Sequence, residues 1–270
     1  MVHPTDWSRV ADPARRVGRT VEFHDEIGST NDRARLALRE PGGDGLAVVA
    51  DLQTAGRGRR RRTWESPSGL NLTVSVGLRP LLQPSRAGLL GIAAAVATCD
   101  ACAALTPGVA LGIRWPNDVV TGGGEKVAGL LVETAVEDGR LVEAVIGIGI
   151  NVNWRRDQMP AEIAARATSL ADVCGRELDR TALLRVLLDG LDAELAALER
   201  GGSPVERFRA VSALDGRRVA VELGDELLEG IAAGIAEDGA LLLDTAAGRL
   251  ALTIGEVVAV RDADPVEVRA

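Results

Sequence analysis

At 270 residues the chain can bury one large core, or form a domain of about 200 residues with a smaller companion. Its net charge of −8 argues against general affinity for polyanions, so any bound anion has to meet a local basic patch. Two histidines, three cysteines, two Phe, four Trp and no Tyr leave a His-based triad, a disulfide framework or an aromatic stacking platform poorly supported. The start, MVHPTDWSRV, carries no apolar stretch, and no run is expected to approach the length of a membrane span. A cytoplasmic protein that binds neither DNA nor membrane is the expectation.

Residues 1–20 read as a flexible N-terminus. Residues 31–40 form a short helix, with Ser29 or Thr30 placed to cap it. Residues 46–50 are an apolar run of strand length, and residues 53–69, rich in Gly, Arg, Ser and Pro, a long loop. Residues 71–78 alternate as a half-buried strand, and residues 86–105 are an Ala-rich buried helix. A short strand lies within residues 111–120, with Pro116 at an edge or bulge. Residues 122–124 make a turn. Residues 126–136 and 141–150 are β-branched-rich and joined by Glu137-Asp138-Gly139, which reads as a hairpin. Helices follow at 179–200 and 204–214. Beyond residue 215, short apolar runs alternate with turn signals, the pattern of a small all-β barrel or sandwich. The expected architecture is α+β: a domain over 21–214 with a mixed, largely antiparallel central sheet flanked by helices, then a small all-β domain over 215–270.

Gly56-Arg57-Gly58-Arg59-Arg60-Arg61-Arg62 places five arginines in six positions. Their mutual repulsion calls for an anion or surrounding carboxylates. Arginine forks suit phosphate, and the glycines allow close backbone approach. A solvated basic loop or nonspecific RNA patch carries about half the weight on this feature alone. Arg114-Trp115-Pro116-Asn117-Asp118 puts two oxygen-bearing side chains after a strand: either nucleotide and Mg²⁺ contacts or plain turn chemistry. Strand alternation groups Lys126 with Ala128, Leu130 and Val132 on one face, where a buried ammonium needs a counter-charge. The bland alternative is an edge lysine. Gly129 and the glycines of Gly147-Ile148-Gly149-Ile150-Asn151 mark places where a ligand or tightly packed neighbour presses on the sheet. Cys99 and Cys102 have CxxC spacing within an apolar helix and read as packing. Trp64 serves either a flat ring or loop anchoring.

In this order, Gly28-Ser-Thr-Asn31, Gln53-Thr-Ala-Gly-Arg-Gly-Arg-Arg60, Trp115-Pro-Asn-Asp118, Lys126-Val-Ala-Gly-Leu-Leu-Val-Glu133 and Gly147-Ile-Gly-Ile-Asn151 resemble the motifs of the biotin–protein ligase family. The resemblance implies a catalytic domain related to class II aminoacyl-tRNA synthetases, followed by an SH3-like barrel. It implies ATP-dependent activation of biotin to biotinyl-5′-AMP, then transfer to a lysine of the biotin carboxyl carrier domain of an acyl-CoA carboxylase. By motif position, Ser29, Thr30, Asn31, Gln53, Gly56, Arg57, Gly58, Arg59, Lys126, Gly129 and Leu131 would meet biotin. Arg59, Arg62, Trp64, Asn117, Lys126 and Asn151 would meet the nucleotide, and Asp118 would hold Mg²⁺. Lys126, Arg59 and Arg57 would be catalytic. Arg61 stands where the family usually has Gly, Thr63 where it often has a basic residue, and Arg114 where Lys is commoner. Only about 25 residues precede the first motif, so no DNA-binding winged helix is expected, and the protein could be a monomer or homodimer. The rivals are a lipoate or octanoate ligase or transferase of related fold and, more remotely, a nonenzymatic nucleic-acid-binding module.

Overall fold

The structure, a computed structural model, describes residues 7–261. Among these, twelve strands form two sheets. A 3₁₀ turn, Trp7–Val10, precedes strand β1 (Val21–Ile27), helix α1 (Thr30–Ala37) and strands β2 (Ala47–Gln53) and β3 (Leu72–Leu78). Helix α2 (Gly88–Leu105) then leads to strands β4 (Leu111–Arg114), β5 (Asp118–Thr121), β6 (Lys126–Glu137) and β7 (Arg140–Ile150). Helices α3 (Ala161–Ala164), α4 (Leu170–Cys174), α5 (Arg180–Glu199) and α6 (Val205–Ala210) follow. The chain then runs through strands β8 (Arg218–Leu223), β9 (Glu226–Ile235), β10 (Leu241–Thr245), β11 (Gly248–Leu252) and β12 (Glu256–Arg261).

The large sheet has the order β1-β2-β3-β7-β6-β5-β4, parallel only between β1 and β2. This is the mixed, largely antiparallel α+β architecture the sequence indicates. Its two longest strands pair through the two-residue turn Asp138-Gly139, with φ of 48° and 72°. Both left-handed positions suit the right-handed strand twist, and Asp-Gly is the dipeptide that tolerates them. Helices α2 and α5 pack on each other against one sheet face, where Val74, Val76, Ile146, Ile148, Ala128 and Leu130 point inward. Helix α1 lies on the opposite face with Val48 and Val145. Strand β3 is buried at every position, not half-buried as its alternation suggests, because it sits mid-sheet with covered faces on both sides.

Several expectations change. Residues 7–20 hold packed side chains: Trp7 is 5% exposed and stacks on Phe23 at 5.5 Å, and buried Arg15 pairs with Asp189 at 2.8 Å. The rest of the expected flexible N-terminus, residues 1–6, lies outside the described residues. Residues 111–120 hold two strands, β4 and β5, with Pro116 in their connection after a cis peptide bond. The C-terminal strands run β11-β10-β9-β8-β12, and among the described residues β11 and β12 do not pair. The all-β unit expected here is an open antiparallel sheet that does not close into a barrel among the described residues. One run is after all long enough for a membrane: Pro84–Leu105 has 22 residues, and its most apolar 18-residue window has a mean hydropathy of 1.8. It is the core helix, with Leu90, Ala93, Ala94 and Cys102 fully buried. Burial pushes the Cys99 thiol up to about 12, and Cys102 further, so neither is a reactive thiolate. Strand β1 and helices α3 and α4 were not foreseen; β1 is polar at four of seven positions, and the two helices are too short for periodicity.

Apolar packing continues from the large sheet into the small one through Leu89, Ile92, Ile235, Leu241 and Leu243. The Trp115 indole N–H donates to the Gly239 carbonyl at 3.0 Å across the same junction. Helix α5 is capped by Asp179, whose carboxylate accepts from Thr181 N at 2.8 Å and Ala182 N at 3.2 Å. Replacing Asp179 by Ala is expected to cost about 1 kcal/mol, read from urea unfolding midpoints at unchanged slope.

Candidate active site

A cavity of about 200 Å³ opens on the α1 face of the large sheet, roofed by the arginine loop and closed at one side by Glu256 and Val257 of the small sheet. All but one of the residues named from the motifs line it: Ser29, Thr30, Asn31, Gln53, Arg57, Gly58, Arg59, Arg62, Trp64, Asn117, Asp118, Lys126, Gly129, Leu131 and Asn151. The exception, Gly56, stands behind it. Its carbonyl accepts the Trp64 backbone N–H at 3.0 Å, and a Cβ there would overlap the Trp64 carbonyl.

One end of the cavity is a hydrogen-bonded polar network. Gln53 Oε1 accepts from Thr30 N at 2.8 Å and from Thr30 Oγ1 at 3.0 Å. The Thr30 and Ser75 hydroxyls lie 2.7 Å apart, Ser75 donates to Asn31 Oδ1 at 2.6 Å, and Asn31 Nδ2 donates to Glu133 at 2.8 Å. Such a network fixes rotamers ahead of binding and aims donors and acceptors at a small polar group. Ser29 occupies the N-cap position of α1 but makes no capping hydrogen bond with its side chain, which borders the cavity. Helix α1 approaches the sheet closely because Gly147 has no side chain; a Cβ there would overlap the Asn31 amide. A Cβ at Gly149 would overlap the Trp64 indole. Tightly packed neighbours therefore account for both glycines. The Trp64 indole N–H is buried and meets no acceptor among the described residues.

The other end is cationic. The pairing of β5 with β6 steps from Val119↔Ala128 to Val120↔Lys126, so Val127 is an extra residue on β6. This bulge turns Lys126 out of the face shared by Ala128 and Leu130, correcting the alternation expected from sequence. Its ammonium lies beside Gly129, 5.6 Å from the Trp64 ring centroid and 2.6 Å from Asp118 Oδ1. Arg114 takes Asp118 Oδ2 at 2.8 Å. The counter-charge that Lys126 needed is thus supplied by Asp118.

The arginine loop is neutralised in part. Arg57 forms a two-pronged pair with Asp32 at 2.7 and 2.6 Å, while Arg60 and Arg62 reach Glu222 and Glu256 of the small sheet. Arg59 differs: its contact is Asn117 Oδ1 at 3.4 Å, with no carboxylate in ion-pair range among the described residues. Burial weakens its hold on the proton, a trend that Glu256 and Asp118 oppose from a distance. A half-buried guanidinium in this state gains most from an incoming anion.

Asp118, expected to hold Mg²⁺, has both oxygens engaged by cations in this structure. Its geometry makes it the counter-ion that holds Lys126. Sequence reading missed Thr73, Ser75, Trp154, Arg166 and Glu256 as cavity residues. Two polar side chains at alternate positions of an otherwise apolar strand could have flagged Thr73 and Ser75. The others come from distant segments and carried no local signal.

Burial pushes the Asp118 carboxyl up, but Lys126 and Arg114 outweigh it and hold the group below its ordinary 3.8. A depressed folded value gives stability that is complete above the unfolded value and disappears as pH falls through the folded one. Asp118→Asn is therefore expected to be destabilised by about 2 kcal/mol at neutral pH, with the gap to the parent closing below pH 3.8 in denaturant titrations.

Comparison with known proteins agrees with this layout. Residues 25–151 match the Biotin/lipoate A/B protein ligase family, and residues 216–260 match the Biotin protein ligase C terminal domain. The chain is 37% identical to the biotin–[acetyl-CoA-carboxylase] ligase of Mycobacterium tuberculosis, over 87% of each chain. It is 36% identical to the enzyme of the same name from Paracoccus denitrificans, over 85% of this chain and 96% of that one. Among solved structures, the Aquifex aeolicus biotin protein ligase in complex with biotin and ATP superposes with a TM-score of 0.76 at 30% identity, covering 91% of this chain and all of that one. The chain belongs to the biotin–protein ligase family.

Proposed function

We propose that this cavity joins biotin to ATP, giving biotinyl-5′-AMP and pyrophosphate, and then hands biotin to a lysine on the biotin carboxyl carrier domain of an acyl-CoA carboxylase. One observation carries the reading: a polar network and a half-buried cation without a carboxylate partner line a single cavity. The network of Ser29, Thr30, Asn31, Gln53 and Ser75 suits the ring end of biotin, with its fused donors and acceptor. Gly56 and Gly58 let the loop backbone close over that ring, and Gly129 and Leu131 form its floor. The nucleotide is assigned to Asn117, Trp64, Arg62 and Asn151. The cytoplasm, where ATP and a carboxylase meet, is the assigned compartment.

A carboxylate does not acylate an amine, because it has no good leaving group. In the first step a biotin carboxylate oxygen attacks the α-phosphorus, and the bond to the bridging oxygen breaks as pyrophosphate leaves with the electron pair. Two anions must approach, and negative charge grows on phosphorus oxygens. Lys126, held by Asp118, and Arg59 lower that barrier by proximity and fixed positive charge. Arg57, anchored by Asp32, would position the loop over the carboxylate. In the second step the neutral amine attacks the acyl carbon and AMP departs, its charge met by the same cations.

The lipoate reading uses the same chemistry, since the first family match covers both ligases. The match at residues 216–260 favours biotin. ATP–pyrophosphate exchange stimulated by biotin and not by lipoate is the expected result; the reverse preference would overturn the assignment. Labelled biotin, ATP and a carrier domain together should yield labelled carrier. Lys126→Ala should leave the fold intact and lower adenylate formation by roughly 10²–10³, a loss on the scale of one oxyanion donor. Biotin with ATP should slow hydrogen exchange across residues 57–62; unchanged exchange there would count against loop closure.

A further inference from the structure

A second cleft of about 290 Å³ opens beside the first. The two share a partition made by Arg59, Trp115, Pro116, Asn117, Leu130 and Leu131. The far walls of the cleft come from the first turns of α2 and from the small sheet, with Asp238 and Thr253 on that side. Resting on the function proposed above, we infer that this cleft admits the side chain of the acceptor lysine on the partner protein.

Chemistry requires such a path. Once the adenylate has formed, biotin fills the polar end of the first cavity and the nucleotide fills the rest, with the reactive acyl carbon beside Lys126 and Arg59. A third reactant has to reach that carbon without displacing either. The partition at Arg59 and Asn117 is where the second cleft meets that point.

The lining suits a lysine. Ile92, Leu130 and Val132 give an apolar wall for its alkyl stem, and Asp238 is the one carboxylate on the cleft wall among the described residues. At the inner end stands Arg59, the half-buried cation without a carboxylate partner. A fixed positive charge there disfavours an ammonium and favours the neutral amine, the nucleophilic form. The amine nitrogen bonds to the acyl carbon, the carbon–oxygen bond to phosphate breaks, AMP leaves with its electron pair, and the surplus amine proton passes to water.

Gly91 supplies an independent argument. It lies inside α2, where glycine costs about 1 kcal/mol relative to alanine. Packing does not demand it: a Cβ there would meet Val132 Cγ2 at 4.0 Å, in ordinary contact, and nothing nearer. What a larger side chain would take up is the open space of the cleft.

Three assays on the full chain separate the possibilities: biotin-dependent ATP–pyrophosphate exchange, release of biotinyl-hydroxamate from the adenylate by hydroxylamine, and biotinylation of a carrier domain. Gly91→Leu fills the cleft from the helix side, and Thr253→Trp fills it from the exposed opposite wall, where the fold is not at risk. Both are expected to keep exchange and hydroxamate formation within about twofold of the parent and to lower carrier biotinylation by about 100-fold, the scale of a misplaced reactant. Gly91→Ala should behave as the parent. Undiminished carrier biotinylation in both filled variants overturns the proposal, and so does loss of exchange in step with it. Absence of biotin-dependent exchange in the unaltered chain would instead sink the underlying function and this inference with it.

Discussion

The site is organised around a shortage of negative charge. Arg57, Arg59, Arg62, Arg114 and Lys126 converge on one cavity, and such a group repels itself unless carboxylates are interleaved. Asp118 binds Lys126 and Arg114 together, Asp32 takes Arg57, and Glu256 takes Arg62. Every one of these cations except Arg59 is matched. The cavity is stable as it stands yet retains one partly desolvated positive charge next to a well-placed ammonium. That combination attracts a carboxylate and a phosphate without any group that must ionise first. It also explains how an acidic protein can handle two anionic substrates: the field that matters is local.

Holding this charge in place depends on backbone geometry. The extra residue Val127 in β6 decides which sheet face receives Lys126, and without it strict alternation would drive the ammonium toward α2 and the apolar core. The opposite face is kept thin by Gly129, Gly147 and Gly149, so that the Asn31 amide and the Trp64 indole can lie directly on the sheet. A mid-strand glycine ordinarily weakens a strand. Here β6 and β7 are long and central, and the lost packing is replaced by side chains arriving from α1 and the loop.

The small C-terminal sheet belongs to this construction. It contributes Glu256 and Val257 to the cavity wall, Glu222 and Glu256 to the arginine loop, and the Gly239 carbonyl to Trp115. The loop therefore rests on a separate sheet through ion pairs that are partly open to solvent. Exposed pairs of this kind are individually weak and sensitive to salt. They suit a segment that has to let substrates pass.

Local sequence was informative wherever a physical rule acts over a few residues. The Asp-Gly turn between β6 and β7, the uniformly apolar α2 and the change of character after residue 215 all follow from backbone preference and hydrophobic pattern, and so did the α+β class. The residues of the cavity were legible because glycine, arginine, asparagine and lysine recur in short motifs, and all of those named except Gly56 line it. Tertiary structure alone decided the face on which Lys126 lies, since a bulge is a relation between two strands and leaves no mark in one. It alone brought Asp118 to Lys126 and Arg114, left Arg59 without a carboxylate, and left the small sheet open. It likewise packed Trp7 onto Phe23 in a segment that reads as loose. Each of these depends on groups brought together from distant parts of the chain, and the energies that choose among them, Coulombic pairing and burial, act through space and not along the sequence.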